Sequence, residues 1–194
     1  MPETLTTAQA AFVVGEPLDA FKKAVERAPV KLRVVKRGGR PVRQFKLADL
    51  VFLHAYGELK QEFTPKSQAA LYQALLKGPH ARNEVIFGNH SYNIGRHVQI
   101  IQSKLKKLEE LANQIDSSGL IKGTRIEAHR IAALLDGRTS VEDVLRDYPS
   151  LKEGQVLAAK AYAEANPKAG RPYPKQTAKA AMRAADLSAL DNEG

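Results

Sequence analysis

At 194 residues, with 43% hydrophobic and 6% aromatic side chains and no Trp, the chain is long enough for one domain or for two small ones with thin cores. The absence of Cys excludes disulfide staples, thiolate metal sites and a Cys nucleophile together, and it suits the cytosol. A formal charge of +9 points to an anionic partner, nucleic acid or an acidic protein; with no basic-then-apolar leader and no apolar run near the roughly 18 residues of a membrane span, a cytoplasmic protein without membrane contact is expected.

Thr6 with Gln9 predicts a capping box opening a first helix, whose stripe is Ala8, Ala11 and Phe12. Gly15 ends it and Pro17 sits at the start of a second helix. Leu18, Phe21 and Val25 line the inner face of that helix and leave Lys22, Lys23 and Arg27 outside. Helix, Gly-containing turn, helix is the outline of a helix-turn-helix. Two arms, Val30–Val35 and Pro41–Lys46, then flank Gly38-Gly39, which supplies the positive φ angles of a hairpin turn. Lys31, Arg33, Lys36, Arg37, Arg40, Arg43 and Lys46 stand in this stretch without one acid. A charge run is usually a solvated face, but directly after a helix-turn-helix this one reads as a wing against a phosphate backbone. A helix starting at Leu47 is expected beneath it.

Residues 5–75 in this way resemble the winged helix-turn-helix of MerR-type regulators, whose wing ends in a similar Phe/Tyr-x-x-x-Asp-Leu step. The resemblance implies operator DNA as a ligand, with Lys22, Lys23, Arg27, Lys36, Arg37, Arg40 and Arg43 as the contact residues. The chain departs from that family where Asp19, Ala20 and Ala24 replace basic, polar or aromatic residues of the second helix. That departure weakens the case for base-specific reading more than the case for the fold.

Thr64-Pro65 caps a further helix to Lys77, with Ala69, Leu71, Tyr72 and Leu75 apolar, and Glu84–Phe87 with Ser91–Ile94 forms a second hairpin. Ile94, Val98, Ile101, Leu105, Leu108, Ala112 and Ile115 follow at spacings of 4, 3, 4, 3, 4 and 3, an unbroken a/d register. The stripe has two readings, a seam between two copies or a face packed inside the chain. The homodimer is the preferred one, through Ile94, Val98, Ile101, Leu105 and Leu108.

Beyond it, Gly123-Thr124-Arg125 predicts a turn, with a short apolar helix to Leu135 stopped by Gly137. Ser140 with Asp143 caps a second helix closed by Pro149, and Ser150 with Glu153 opens a third to about Ala165. Asn166–Lys175 holds three Pro, one Gly and three basic residues, a composition that favours an extended chain, and Thr177–Leu190 reads as a weak Ala-rich helix with Met182 on one side.

The G-T-R-I turn, the Ser-x-Glu-Asp-Val-Leu-x-Asp-Tyr-Pro run ending at Pro149 and Ala158-Ala-Lys-Ala-Tyr-Ala163 match, at fixed spacing over 116–166, a pattern that resembles the small homeodomain-like helical domain of VapB-like antitoxins of type II toxin–antitoxin pairs. The resemblance implies a PIN-like ribonuclease toxin as partner and a hetero-oligomer with it. Arg171, Tyr173, Lys175 and Met182 of the tail would then bind the toxin, the guanidinium of Arg171 meeting its metal-holding carboxylates. Arg125 has a structural reading, bonding carbonyls at the helix start, which is preferred over contact with nucleic acid.

No nucleophile elbow, phosphate loop or H-E-x-x-H occurs. A metal site through His90 and His97 lacks a carboxylate pair, and Glu142, Asp143 and Asp147 fit helix N-terminal and surface roles. No enzyme, metal or cofactor is expected. The expected fold is mainly α with small β-hairpins: a winged helix-turn-helix over 1–80, hairpin and dimerisation helix over 81–116, a three-helix antitoxin domain over 117–166 and a flexible tail over 167–194. The expected function is an antitoxin that silences a PIN-like ribonuclease and autoregulates its operon; the alternative is a stand-alone MerR-type regulator.

Overall fold

The structure, a computed structural model, describes residues 5–37, 40–78, 83–168, 170–178 and 181–182, with Arg37 and Arg40 as backbone only. It is mainly helical with two small antiparallel hairpins: α1 (Thr7–Val14), α2 (Leu18–Arg27), β1 (Arg33–Arg37), β2 (Arg40–Gln44), α3 (Leu47–Glu62), α4 (Pro65–Lys77), β3 (Glu84–Phe87), β4 (His90–Asn93), α5 (Gly95–Gln114), α6 (Ala128–Asp136), α7 (Val141–Asp147) and α8 (Glu153–Ala165). Among the described residues no helix is long and apolar enough to cross a membrane. The chain forms two compact units divided between Glu109 and Glu110, within the last turns of α5.

In the first unit α1 and α2 pack on α3, and α3 packs on α4. The Thr6 hydroxyl accepts from the Gln9 N–H at 3.2 Å while the Gln9 side chain accepts from the Thr6 N–H at 2.9 Å, so the capping box forms in full. Gly15 ends α1 at φ +82°, where a side chain would be strained. The buried face of α1 is Ala10, Ala11, Val13 and Val14 rather than the stripe expected from Ala8, Ala11 and Phe12. Packing against both α2 and α3 widens the buried face beyond one stripe.

A buried carboxylate decides how the first hairpin is seated. Asp49, 3% exposed, accepts from the Lys46 N–H and from the Tyr72 hydroxyl, both at 2.7 Å, and that hydroxyl accepts from the Lys31 N–H at 3.3 Å. The chain of bonds ties the approach and exit of β1–β2 to α3 and α4. Burial, reinforced by Asp49, pushes the Tyr72 hydroxyl up to about 12, which keeps it a donor at any physiological pH. Phe45, just after β2, packs on Phe21 of α2 at 5.6 Å between centroids.

The stripe on α5 is not an open seam. Ile94, Ile101, Leu105 and Leu108 are all buried in the single chain, Ile101 completely, and Val98 is half-buried. The four buried side chains are a packed face of their own chain rather than the open seam expected, and Val98 keeps part of its surface. An a/d register records only that one helix face is apolar, not what covers it. Nor do the second hairpin and this helix form a separate segment. β3 packs on α4, and His97 of α5 is bonded to His54 of α3.

That histidine pair carries a measurable consequence. His97 is 3% exposed; its Nδ1 lies 2.7 Å from His54 Nδ1 and its Nε2 lies 3.1 Å from the Tyr92 hydroxyl. Glu58 Oε2 stands 3.5 Å from His97 Nε2, too exposed to offset the burial. Burial, joined for His97 by the His54 charge, lowers the affinity of both rings for a proton. Because the folded pKa is depressed, the unfolded chain binds more protons below the ordinary histidine value. Stability is then fully present above about pH 6.5 and declines on acidification, by up to about 1.4 kcal/mol per pH unit per histidine. With both rings protonated each Nδ1 carries a hydrogen and the bond between them is broken. Urea midpoints should therefore fall between about pH 7.5 and pH 5.5, which straddle the usual titration, in the wild type and fall less in His97→Gln. Equal slopes in the two proteins would remove the pair as the cause.

In the second unit α6 packs closely on α8, with α7 touching both. Asp116 Oδ1 accepts from the Ser118 hydroxyl and from the Ser118 and Leu120 N–H groups, closing the turn into this unit and holding its carboxyl below the usual range. Gly123 at φ +80° makes the expected turn, and the Thr124 hydroxyl donates to the Ile121 carbonyl at 2.8 Å while accepting from the Ile126 N–H. Ser140 caps α7 through the Asp143 N–H as expected. The cap of α8 is displaced from Ser150–Glu153: Lys152 is the N-cap, and its N–H donates to the Gln155 side chain at 3.0 Å.

Candidate nucleic-acid and partner interface

β1 and β2 pair in the register Arg33 with Gln44, Val35 with Val42 and Arg37 with Arg40, leaving a two-residue connection at Gly38-Gly39, which lies outside the described residues. Of the candidate DNA contacts on it, Lys36 is exposed and Arg43 half-buried; the side chains of Arg37 and Arg40 lie outside the described residues. On α2 the three cations separate. All three are exposed, but Lys22 is drawn to Asp19 at 3.1 Å, whereas Lys23 and Arg27 line a cleft of about 460 Å³ between α2 and α3. Ala20, Ala24 and Gly57 open that cleft because they carry little side chain, and Phe21, Leu53 and Tyr56 contribute its apolar lining.

The start of the expected tail is not free. After α8 the chain turns back over the three-helix unit as a strap, 166–178, in which Ala169 lies outside the described residues. The Asn166 carbonyl accepts from His129 Nε2 at 2.7 Å. Lys168 Nζ reaches Glu127 Oε2 at 2.7 Å and the Tyr173 hydroxyl at 2.8 Å, and that hydroxyl also donates to Glu127. Hydrogen bonds from Lys168 and Tyr173 hold the Glu127 carboxyl below its usual range, and the same bond raises Lys168, so both groups stay charged. Thr177, 7% exposed, donates to Asp147 Oδ2 at 2.5 Å. Between these anchors the strap passes Gly137 so closely that a Cβ there would stand 2.2 Å from the Lys175 carbonyl oxygen. Gly137 is required by this approach rather than by its own φ of −78°; the left-handed residue after α6 is Arg138 at +67°.

Of the tail residues expected to face a partner, Arg171 and Lys175 are exposed, and Tyr173 is half-buried against Glu127. Met182 is 62% exposed, and most of the expected Thr177–Leu190 helix lies outside the described residues. Gly170 at φ +124° and Pro172 bracket Arg171, so the guanidinium is displayed on a held loop. The correction from floppy tail to strap has a physical cause. Two carboxylates and one glycine, 30–46 residues away, receive it. Nothing local in the sequence around Asn166–Lys175 announces Glu127, Gly137 or Asp147 as acceptors.

Arg125 is exposed, and among the described residues its guanidinium bonds no carbonyl, so it does not serve the helix-start role expected for it. It lines a small cavity with Glu127, Arg130, Tyr148 and Tyr173. Among the described residues no group of three His, Asp or Glu side chains is placed to hold a metal ion, and His97 meets His54 rather than His90.

The profile of one family, "Protein of unknown function (DUF433)", matches residues 119–163. The match takes in the Gly119–Glu127 turns and all of α6 and α7, with α8 to within two residues of its end. No curated protein and no solved structure matches the chain.

Proposed function

We propose that this chain is a DNA-binding antitoxin: its first unit holds operator DNA through a winged helix-turn-helix, and its second unit with the strap binds and silences a PIN-like ribonuclease. The observation that carries the DNA half is the hairpin β1–β2, which follows two helices and, with its flanking residues from Lys31 to Lys46, holds seven Lys or Arg without an acid. The bonds from Asp49 and Tyr72 tie the two ends of that stretch, at Lys31 and Lys46, to α3 and α4. The antitoxin half rests on the motif pattern over 116–166 and on Arg171, held at the tip of the strap where it can pair with a carboxylate.

The test has two arms. Arg37→Ala with Arg40→Ala and Arg43→Ala should weaken binding to specific and random DNA by similar factors. It should also flatten the salt dependence by about 0.9 in log–log slope for each phosphate that is no longer neutralised. Binding equal to wild type at ~150 mM salt would sink the wing. In the second arm, Arg171→Glu should relieve inhibition of a co-expressed PIN-like ribonuclease encoded beside this gene and leave DNA binding intact. A point change is preferable to truncation after Asn166, which would also strip Lys168, Tyr173 and Thr177 from the three-helix unit. If the chain neutralises no such nuclease, the stand-alone regulator takes its place. The cleft of about 460 Å³ beside α2 favours that second reading, since its size suits a small effector.

A further inference from the structure

The cavity on the second unit is lined by Arg125, Ile126, Glu127, Arg130, Tyr148 and Tyr173 and holds about 160 Å³. That is below the ~300–1,000 Å³ of sites for whole small molecules, and it suits a single charged group. We propose that it is a phosphate-binding site which the strap completes.

The cations come first. Arg125 and Arg130 are both exposed at the cavity, and among the described residues neither makes an ion pair. Arg130 is already oriented: its Nε donates to the Tyr148 hydroxyl at 2.9 Å and its guanidinium lies 5.9 Å from the centre of the Tyr148 ring. With Nε committed, the two terminal nitrogens remain for a ligand, the fork geometry that grips two oxygens of one phosphate.

Glu127 would oppose an anion in the same cavity. The strap removes that opposition, because Lys168 Nζ sits 2.7 Å from the carboxylate and the Tyr173 hydroxyl donates to it. The Lys168 ammonium also lies 2.8 Å from the Tyr173 hydroxyl, which holds that ring in place as a wall of the cavity. With Glu127 matched by Lys168, the charges of Arg125 and Arg130 are left uncompensated. Docking of the strap thus turns a mixed surface into a cationic, tyrosine-walled one. Lys168 acts here as a positioning residue, through Glu127.

The site does not depend on the wing, and the test separates them. In the full chain carrying Arg37→Ala, Arg40→Ala and Arg43→Ala, NMR titration with inorganic phosphate and, separately, with a short oligothymidylate should move the Arg130 Nε–H and the Tyr148 and Tyr173 resonances. Adding Arg125→Ala and Arg130→Ala should weaken that binding by about tenfold or more, as loss of charge-assisted hydrogen bonds does. Lys168→Ala should weaken it too, and Lys168→Ala with Glu127→Gln should restore it; a merely structural role for Lys168 would give no rescue. Saturation by phosphate alone identifies a free or terminal phosphate as the ligand, and saturation by the oligonucleotide identifies a phosphodiester; both support the site. It is overturned if neither probe moves these resonances, or if the arginine variants bind as tightly as their parent.

Discussion

Ile101→Glu is expected to abolish cooperative unfolding of the first unit. Ile101 is completely buried on α5. An isolated carboxylate there either ionises without water or takes up a proton at a cost of several kcal/mol, a large part of the ~5–15 kcal/mol that stabilises an ordinary domain. Far-UV circular dichroism against urea should show a broad or absent transition in Ile101→Glu and in its double with Leu108→Glu. A dimer seam at these positions predicts something else: a folded monomer with its own sharp transition. Recovery of that species by size-exclusion chromatography with light scattering would reinstate the seam and overturn the packed-face reading.

Gly137→Ala is expected to unseat the strap. The added methyl meets the Lys175 carbonyl oxygen at 2.2 Å and its Cβ at 2.7 Å, and a backbone neighbour cannot rotate away as a flexible side-chain end can. Overpacking of this kind costs about 1–3 kcal/mol. It is released here by lifting the segment that Thr177 and Tyr173 pin. Tryptic cleavage after Lys168 and Lys175 should accelerate relative to wild type. Gly154→Ala is the contrast: Gly154 is exposed on α8 with nothing within 4 Å of the new Cβ, so that change should stabilise by roughly 0.5–1 kcal/mol and leave cleavage unaltered. Equal cleavage in Gly137→Ala and wild type would show that the strap is not held at this point.

The two predictions rest on different kinds of information. Ile101 belongs to a periodic stripe that is plain in the sequence, yet its burial partner is not. Gly137 reads in the sequence as an ordinary helix stop, and its role in the fold is visible only where another segment crosses it. The pairing of His54 with His97, 43 residues apart, is of the same kind, as are the bonds from Tyr72 to Asp49 and Lys31.

What the sequence by itself determined is the order of the elements and most of their ends. Thr6 with Gln9, Thr64 before Pro65 and Ser140 before Asp143 all cap helices where their spacing places them, and the Gly-Gly and Gly-Asn pairs separate the paired strands. These signals are legible because a cap or a tight turn is a bond between residues two to four apart, so spacing alone specifies the geometry. The charge of the hairpin is legible for the same reason, being a property of consecutive residues. Only the tertiary structure decided that the α5 stripe is packed within its chain and that the start of the expected tail lies on α6 and α7. It also decided that Arg125 and Arg130 share a cavity with two tyrosines. Each of these is a meeting of side chains distant in the sequence, set by which apolar faces bury against one another and which carboxylates are left to accept. Periodicity shows that a face or a charge must be satisfied, but its partner is chosen by the packing of the whole chain.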